Sequence, residues 1–168
     1  QQDLESFVIQ PPPDSVLNRS LIRMHGLYPS RGCVFKCNFC SVIQISGNVV
    51  RSQSIEATLA SLRLAKKARI KLIVFGSDNF NKYADAKELL QAIIDENLQI
   101  DFFAQCDTQI ADDEEMVELM ARAGCIFMFV GVESFNYATL QAAQKTQNRP
   151  GKYVNIIQLC RKYGIVAT

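Results

Sequence analysis

The sequence has little of several features that would indicate a particular partner or location. Its 18 Lys and Arg residues are balanced by 17 Asp and Glu residues, which removes any electrostatic case for binding nucleic acid, a membrane surface or an acidic partner. The longest apolar runs, such as residues 126–132, are far shorter than the ~20 residues needed to cross a bilayer. No signal-peptide pattern is present at the N-terminus, so a cytoplasmic location is expected.

The chain also has a single histidine, His25, and no initiator methionine. The missing methionine leads us to expect a processed chain or a piece of a longer protein. Its 168 residues, 48% of them apolar, are enough for one domain with a real core. Three consecutive prolines at positions 11–13 exclude a helix through them. We therefore expect residues 1–20 to form an extended Pro-rich arm or linker, and residues 21–168 to form the domain.

Strand-like and helix-like patterns alternate through that domain. Apolar strand-length runs begin near residues 21, 70, 100, 126 and 165, with a long loop expected over residues 29–51. Helical patterns lie between the runs, one of them over about residues 136–147. Ser54 is expected to cap the helix after the loop, and Gly124 is expected to end the helix before residue 126. This order predicts a parallel α/β fold, either barrel-like or doubly wound. Both architectures place functional sites at the carboxyl ends of the strands. The stripe at residues 127–129 is expected to belong to the core.

Cysteine carries the strongest chemical signal. Cys33, Cys37 and Cys40 lie within eight residues, spaced Cys-x3-Cys-x2-Cys, whereas the remaining three cysteines are isolated and are interpreted as structural thiols: Cys106, Cys125 and Cys160. A disulfide framework would spread its cysteines through a small, loop-rich chain, so we expect a reducing compartment. Three thiolates are one fewer than a closed iron–sulfur site requires, and they would leave the fourth iron of a 4Fe-4S cluster open to a small molecule.

Three other interpretations of the cysteines remain open at this point. The three cysteines and His25 can form a tetrahedral zinc site if His25 reaches the loop. The loop can hold a cluster that only relays electrons, in a non-enzymatic metal module. The cysteines can also be unrelated buried thiols.

The sequence resembles the radical SAM superfamily. The resemblance rests on the cysteine spacing, with an aromatic residue before the third cysteine and a strand before the loop. Four further segments are similar to the branch of this family that is often fused to a cobalamin-binding domain: Ser30-Arg31-Gly32-Cys33, Asp78-Asn79-Phe80, Gly131-Val132-Glu133-Ser134 and Gln147-Asn148. The resemblance implies a partial (βα)6 barrel of parallel strands. The domain at residues 21–168 is then expected to be incomplete on its C-terminal side, truncated around the fifth strand.

This resemblance also implies a chemistry. Members of the family bind a 4Fe-4S cluster, here through Cys33, Cys37 and Cys40, and cleave S-adenosylmethionine (SAM) reductively to a 5′-deoxyadenosyl radical. They receive electrons from a flavodoxin- or ferredoxin-type protein. Methyl transfer through cobalamin, bound by a domain outside this chain, is the leading reaction class for the whole protein, followed by hydrogen abstraction leading to rearrangement or ring formation. The substrate, a small molecule or biosynthetic intermediate, is not specified.

Two groups of SAM-binding residues follow from the same resemblance. Phe39, before the third cysteine, is expected near the adenine, with loop anchoring as the alternative. Gly76, Ser77 and Asp78 take the place of a Gly-Gly-Glu-like segment that receives the methionine ammonium group. Asp78 keeps the carboxylate but is one methylene shorter than glutamate, and a turn cap is its alternative role.

The other SAM-binding residues follow the next two strands. Glu133 and Ser134 correspond to the ribose-binding position, and a cap of the next helix is their alternative role. Gln105 and Asp107 face the same region, either as SAM or substrate contacts or as loop hydrogen-bonding groups.

Overall fold

The protein is described from a computed structural model that covers residues 6–168. Its strands are β1 (Met24–Leu27), β2 (Ser30–Arg31), β3 (Arg51–Ser52), β4 (Leu72–Phe75), β5 (Asp101–Cys106), β6 (Cys125–Val130) and β7 (Val166–Ala167). The α-helices are α1 (Asp14–Leu17), α2 (Val42–Ile45), α3 (Ile55–Lys67), α4 (Ala86–Asp95), α5 (Glu114–Ala123), α6 (Tyr137–Ala142) and α7 (Tyr153–Tyr163).

Five strands form one sheet in the order β1-β4-β5-β6-β7, and every neighbouring pair is parallel. The order follows the chain without reversal. A doubly wound sheet reverses its strand order at a switch point, whereas a barrel adds strands in one direction. The parallel α/β prediction is therefore confirmed, and the barrel-like alternative describes this sheet.

Local sequence signals explain the ends of the helices. Ser54 caps α3 and accepts a hydrogen bond from Ala57 N at 3.2 Å. Asp113 caps α5 and accepts from Met116 N at 3.0 Å. Gly124 ends α5 with φ 109°. A Cβ at that position would lie 2.5 Å from Ile100 O, so the turn into β6 requires glycine.

The two faces of the sheet differ in burial. One face packs into the core with the helices and includes Phe75, Phe102 and Met128. On the opposite face Phe127 is 39% exposed and Phe129 46% exposed. The prediction that residues 127–129 all lie in the core is wrong for these two phenylalanines, because alternate side chains of a strand point to opposite faces.

The loop expected over residues 29–51 contains regular structure. β2 and β3 pair in antiparallel fashion, and α2 lies between them. Two-residue strands give no periodic signal, so the sequence pattern could not show them. Gly32 has φ 100° beside β2, and a Cβ there would lie 2.2 Å from Val49 O.

Two predicted elements end earlier than expected. The helix expected over residues 136–147 stops at Ala142, because Gln144 adopts φ 54° and Lys145 N donates back to Leu140 O at 2.9 Å. The strand expected over residues 126–132 stops at Val130. The carbonyl oxygens of Gly131 and Val132 instead accept hydrogen bonds from the side chain of Asn148.

The N-terminal segment begins regular structure sooner than expected, since α1 directly follows the prolines. Leu17 is 2% exposed, and Ile9 N donates to Ser61 Oγ at 2.9 Å on α3. The arm or linker interpretation stays a prediction, and its residues 1–5 lie outside the described residues. Within residues 6–168 no helix has the length and apolar character to cross a membrane.

Candidate functional site

The three cysteines of the Cys-x3-Cys-x2-Cys loop line one cavity of about 170 Å³. The cavity lies beyond the carboxyl ends of β4, β5 and β6, where parallel α/β folds place their sites. Its other lining residues come from the cysteine loop, α2, the ends of β5 and β6, the loops after β4, β5 and β6, and the segment after α6: Phe35, Phe39, Val42, Ile43, Asp78, Asn79, Gln105, Cys106, Asp107, Phe129, Gly131, Glu133, Lys145 and Gln147.

The cysteine loop is held by backbone hydrogen bonds at both of its ends. Cys33 N donates to Gly47 O at 3.3 Å, and Asn38 N donates to Ala143 O at 3.1 Å. Cys37 is buried, Cys33 and Cys40 are partly buried, and all three are free thiols. These are the soft donors that iron–sulfur clusters take, one per iron. Three thiols on one short loop and one cavity therefore fit a cluster as a donor set.

A site for a single metal ion has a different geometry. Among residues 6–168 no three Cys, His, Asp or Glu side chains are grouped closely enough to hold one ion. His25, the fourth ligand of the zinc interpretation, is placed on β1 opposite Ile73 and is absent from the lining of the cavity. Partial burial lowers the pKa of His25.

Asp78 joins the loop after β4 to the cysteine loop. Its Oδ2 accepts a hydrogen bond from Gly32 N at 2.6 Å and lies 3.8 Å from Arg31 Nε. The carboxylate therefore braces the residue directly before Cys33, and it also lines the cavity.

Gly76 and Ser77 lie behind the cavity and do not line it. Ser77 is fully buried, and its Oγ accepts hydrogen bonds from Ser30 N at 3.2 Å and Ser30 Oγ at 3.0 Å. A Cβ at Gly76 would lie 2.4 Å from Cε1 of Tyr28, so glycine here makes room for the tyrosine ring. Both residues support β2 and its flanking chain.

Gln105 and Asp107 differ in their roles around the cavity. Gln105, the penultimate residue of β5, is partly buried and lines the cavity. Asp107 is 5% exposed, and its oxygens accept from Gln109 N at 2.7 Å and from Asn79 Nδ2 at 2.8 Å. Lys82 Nζ adds an ion pair at 3.7 Å. Hydrogen bonding within the loops thus occupies Asp107.

Glu133 forms an ion pair inside the cavity. It adopts φ 62°, and its Oε1 accepts from Lys145 Nζ at 2.6 Å. The Lys145 ammonium also lies 5.7 Å from the centroid of the Phe39 ring. Ser134 does not line the cavity, and its Oγ accepts from Asn136 N at 3.0 Å in the turn before α6.

Lys145 and Gln147 were not predicted as site residues from the sequence. A helix expected through residue 147 made them look like ordinary helical positions, and the early end of α6 instead turns them into the cavity. Gln147 Nε2 lies 3.7 Å from Cys37 Sγ. The available sequence signal is the segment Gln147-Asn148, which belongs to the resemblance described above but carries no assigned role there.

The three isolated cysteines are buried. Burial raises the pKa of the Cys106 thiol well above its usual range, with the nearby Cys125 adding to the effect. Burial also raises the pKa of Cys125 to about 12 and raises that of Cys160. These groups stay protonated at neutral pH, which suits structural thiols, although Cys106 also touches the cavity.

The chain is similar to known proteins in both sequence and structure. A family model described as the radical SAM superfamily matches residues 27–168. A bacteriochlorophyllide d C-8(2)-methyltransferase of Chlorobaculum tepidum is 30% identical over 147 residues, which cover 83% of this chain and 33% of that protein. The chain thus spans about a third of this curated relative's length.

Solved structures share the fold. The radical S-adenosylmethionine methyltransferase TsrM from Kitasatospora setae, with cobalamin and a 4Fe-4S cluster bound, superimposes with a TM-score of 0.78 at 21% identity, over 86% of this chain and 30% of that one. The cobalamin-dependent S-adenosylmethionine radical enzyme OxsB, with aqua-cobalamin and S-adenosylmethionine bound, superimposes with a TM-score of 0.70 at 23% identity, over 84% of this chain and 22% of that one. The partial-barrel expectation is confirmed.

Proposed function

The chain belongs to the radical SAM superfamily of enzymes, and on that premise we propose that it binds a 4Fe-4S cluster through Cys33, Cys37 and Cys40 and S-adenosylmethionine beside it. The observation that carries the proposal is the convergence of these three free thiols on one cavity. Three cysteine ligands leave one iron free for the methionine part of SAM. When bound and reduced, the cluster supplies the electron that cleaves SAM.

The residues around the cavity suit the separate parts of SAM. Asp78 offers a carboxylate to the methionine ammonium group through the oxygen that does not brace Gly32. Glu133 offers acceptors to the ribose hydroxyls, and Phe39 offers an exposed ring face to the adenine. Gln105 is a polar contact from β5.

Three other predicted residues are assigned less direct roles. Gly76 and Ser77 shape the wall behind Asp78, since they pack against Tyr28 and Ser30. Ser134 holds the turn that follows Glu133. None of the three lines the cavity, so we propose that they position their neighbours.

For the whole protein we propose methyl transfer that uses cobalamin bound outside this chain. The names of a curated relative and of a similar structure support this proposal, because both are methyltransferases and the structure holds cobalamin. Other radical chemistry is the second candidate, since OxsB is named only as a radical enzyme. The proposal also includes a flavodoxin- or ferredoxin-type reductant, a small-molecule substrate and a cytoplasmic location. The six unpaired cysteines support the location, because disulfides are rare in the cytoplasm.

Anaerobic reconstitution of the full-length protein with iron and sulfide tests the cluster. Electron paramagnetic resonance (EPR) of the dithionite-reduced sample is expected to show a reduced 4Fe-4S signal that changes when SAM is added. Cys37→Ser is expected to abolish the signal. Cys106→Ser is the matched control, because Cys106 lines the same cavity outside the loop, and it is expected to retain the signal.

Other outcomes would discriminate among the alternatives. A cluster signal that ignores SAM would favour an electron relay, and stoichiometric zinc in place of iron would overturn the proposal. The cobalamin version has its own measurement. Absorption spectra of the full-length protein with added cobalamin should show a bound form, and the absence of binding would remove the methyl-transfer assignment.

A further inference from the structure

We propose that Gln147 and Asn79 donate hydrogen bonds to the sulfur atoms of Cys37 and Cys33 and thereby raise the reduction potential of the cluster. This inference rests on the proposed function, since it concerns the cluster that those cysteines would hold. It gives these two amides a role beyond their contacts within the fold and beyond SAM binding. Both side chains line the cavity.

Gln147 is a buried donor with one defined contact to the loop. The side chain is 6% exposed, and Nε2 lies 3.7 Å from Cys37 Sγ. This distance is within the longer range of N–H···S hydrogen bonds. Its Oε1 is buried and has no hydrogen-bond partner among the described residues. A methionine would fill the same space without burying an unbonded oxygen, so packing alone does not call for an amide here.

The segment that carries Gln147 is fixed on both sides. Gln144 turns the chain with φ 54° after α6. On the other side Asn148 is 1% exposed, and its Nδ2 donates to Gly131 O at 2.9 Å and Val132 O at 2.7 Å. Gln147 is therefore anchored to the end of β6, and its amide is presented to the cysteine loop from a rigid base.

Asn79 is a second donor, from a different strand end. The side chain is 4% exposed, and Nδ2 lies 3.8 Å from Cys33 Sγ. Its orientation is set by Asp107, which accepts from Nδ2 at 2.8 Å and donates its backbone N–H to Oδ1 at 3.2 Å. If the Asn79 amide were rotated by 180°, its Oδ1 would face the Asp107 carboxylate, and two acceptors would then be opposed. The second hydrogen of Nδ2 is thus left for the sulfur.

Hydrogen bonds to cluster sulfurs raise the potential for an electrostatic reason. Reduction adds negative charge that is shared with the thiolate sulfurs. An N–H dipole directed at a sulfur stabilises the reduced form more than the oxidised form, and hydrogen bonds to the sulfurs are among the determinants of cluster potential. Asn79 and Gln147 would donate to two different cysteine sulfurs, so their effects are expected to add.

The test is a redox titration of the full-length, reconstituted protein, followed by EPR of the reduced cluster. Gln147→Met and Asn79→Leu each remove the donor. Each variant is expected to lower the equilibrium constant for reduction about tenfold, which is a shift of about 59 mV to more negative potential for a one-electron couple. The double variant is expected to shift further than either single variant.

Two control variants separate this effect from general disturbance. Gln53→Met removes a glutamine of similar burial, 5% exposed, whose Nε2 donates to Phe7 O and which does not line the cavity of the cysteines. Asn81→Leu removes an amide whose Oδ1 also accepts from Asp107 N, at 2.9 Å. Both controls are expected to keep the wild-type potential.

The outcomes discriminate between the two proposals. Wild-type potentials in both donor variants, with full iron and sulfide content, would overturn this inference and leave the proposed function standing. A wild-type protein that holds no cluster would overturn both. If a donor variant loses its cluster, the inference is tested in the wild-type protein with ¹⁵N-labelled side-chain amides. Electron spin-echo modulation from ¹⁵N in the EPR signal of the reduced cluster would support the inference. The absence of such modulation would overturn it.

Discussion

Lys145 Nζ lies 2.6 Å from Glu133 Oε1, and the two partners of this ion pair are unequally covered. The Lys145 side chain is 9% exposed, whereas that of Glu133 is 41% exposed. The ammonium group has the Phe39 ring on another side. Water can therefore solvate the carboxylate if its partner is lost, but it has little access to the ammonium.

This asymmetry predicts unequal costs for removing the two charges. Glu133→Gln leaves a buried ammonium without its counter-charge, and we expect it to lower the free energy of unfolding by about 1–2 kcal/mol. Lys145→Met leaves a carboxylate that water can reach, and we expect a loss of under about 1 kcal/mol. Urea unfolding of both variants measures the difference. Equal losses, or a larger loss in Lys145→Met, would contradict the prediction.

A second prediction concerns two glycines in the segment that joins β2 to β3. Gly32 and Gly47 both have positive φ, 100° and 83°. A Cβ at Gly32 would lie 2.2 Å from Val49 O, whereas a Cβ at Gly47 meets nothing within 4 Å. Gly32→Ala is expected to shift the backbone next to Cys33 and strongly reduce bound iron after reconstitution.

Gly47→Ala is the matched control for that experiment. It carries only the conformational cost of a left-handed alanine, about 1–2 kcal/mol, and should keep its iron. Iron and sulfide analysis after reconstitution measures the cluster content of both variants. Full iron content in Gly32→Ala would show that the close approach of Gly32 to Val49 does not hold the loop.

A third prediction tests the packing of Tyr28 over the end of β4. Gly76→Ala would place a Cβ 2.4 Å from the Tyr28 ring, whereas Gly26→Ala would place one 3.7 Å from the Tyr28 hydroxyl, at ordinary contact distance. We expect Gly76→Ala to destabilise the fold and Gly26→Ala to be nearly neutral. Because the obstacle is one side chain, adding Tyr28→Ala should recover most of the loss. Thermal unfolding of the wild type, the two glycine variants, Tyr28→Ala and the double variant measures these effects. A loss in the double variant that equals the sum of the losses from Gly76→Ala and Tyr28→Ala would argue against the clash.

A fourth prediction follows from the buried thiols. Burial raises the pKa of Cys106 and Cys160 and raises that of Cys125 to about 12. Above pH ~8.5 the unfolded chain loses these thiol protons while the folded chain keeps them, so the stability present at neutral pH is lost as pH rises. Each thiol contributes a slope of up to about 1.4 kcal/mol per pH unit.

Cys125→Val isolates one of these contributions. Urea unfolding under reducing conditions between pH 7 and 10.5 should show a shallower decline for the variant than for the wild type above pH ~8.5. Below that pH the two slopes should match. Parallel declines over the whole range would mean that Cys125 ionises equally in both states.

Sequence reasoning recovered the order of strands and helices because each long element carries its own periodic signal. Ser54 and Gly124 marked helix ends correctly. The short elements were missed for the same reason, since β2, β3 and α2 have two to four residues each. The exposed face of β6 was also missed, because an unbroken apolar run hides which alternate side chains the core covers.

The candidate site was predictable only where its functional residues lie close together in the sequence. The spacing of Cys33, Cys37 and Cys40 forms a recognisable motif. Lys145 and Gln147 reach the cavity through a positive φ at Gln144, and no residue type requires that turn. The contacts of Asn79 and Asp107 join two strand ends 28 residues apart, which only the register of the sheet brings together.

The contacts of the cysteine loop have a consequence for the order in which the protein is made. Cys37 meets Gln147, which is 110 residues later in the chain, and Asn38 Nδ2 binds Ala142 O, 104 residues later. At ribosomal rates of about 5–20 residues per second, roughly 5–20 s pass between the synthesis of the cysteine loop and the synthesis of the residues that contact it. Cys37 thus lacks its contact with Gln147 on the nascent chain during that interval. Insertion of the proposed cluster into its finished pocket would then follow the synthesis of most of this sheet.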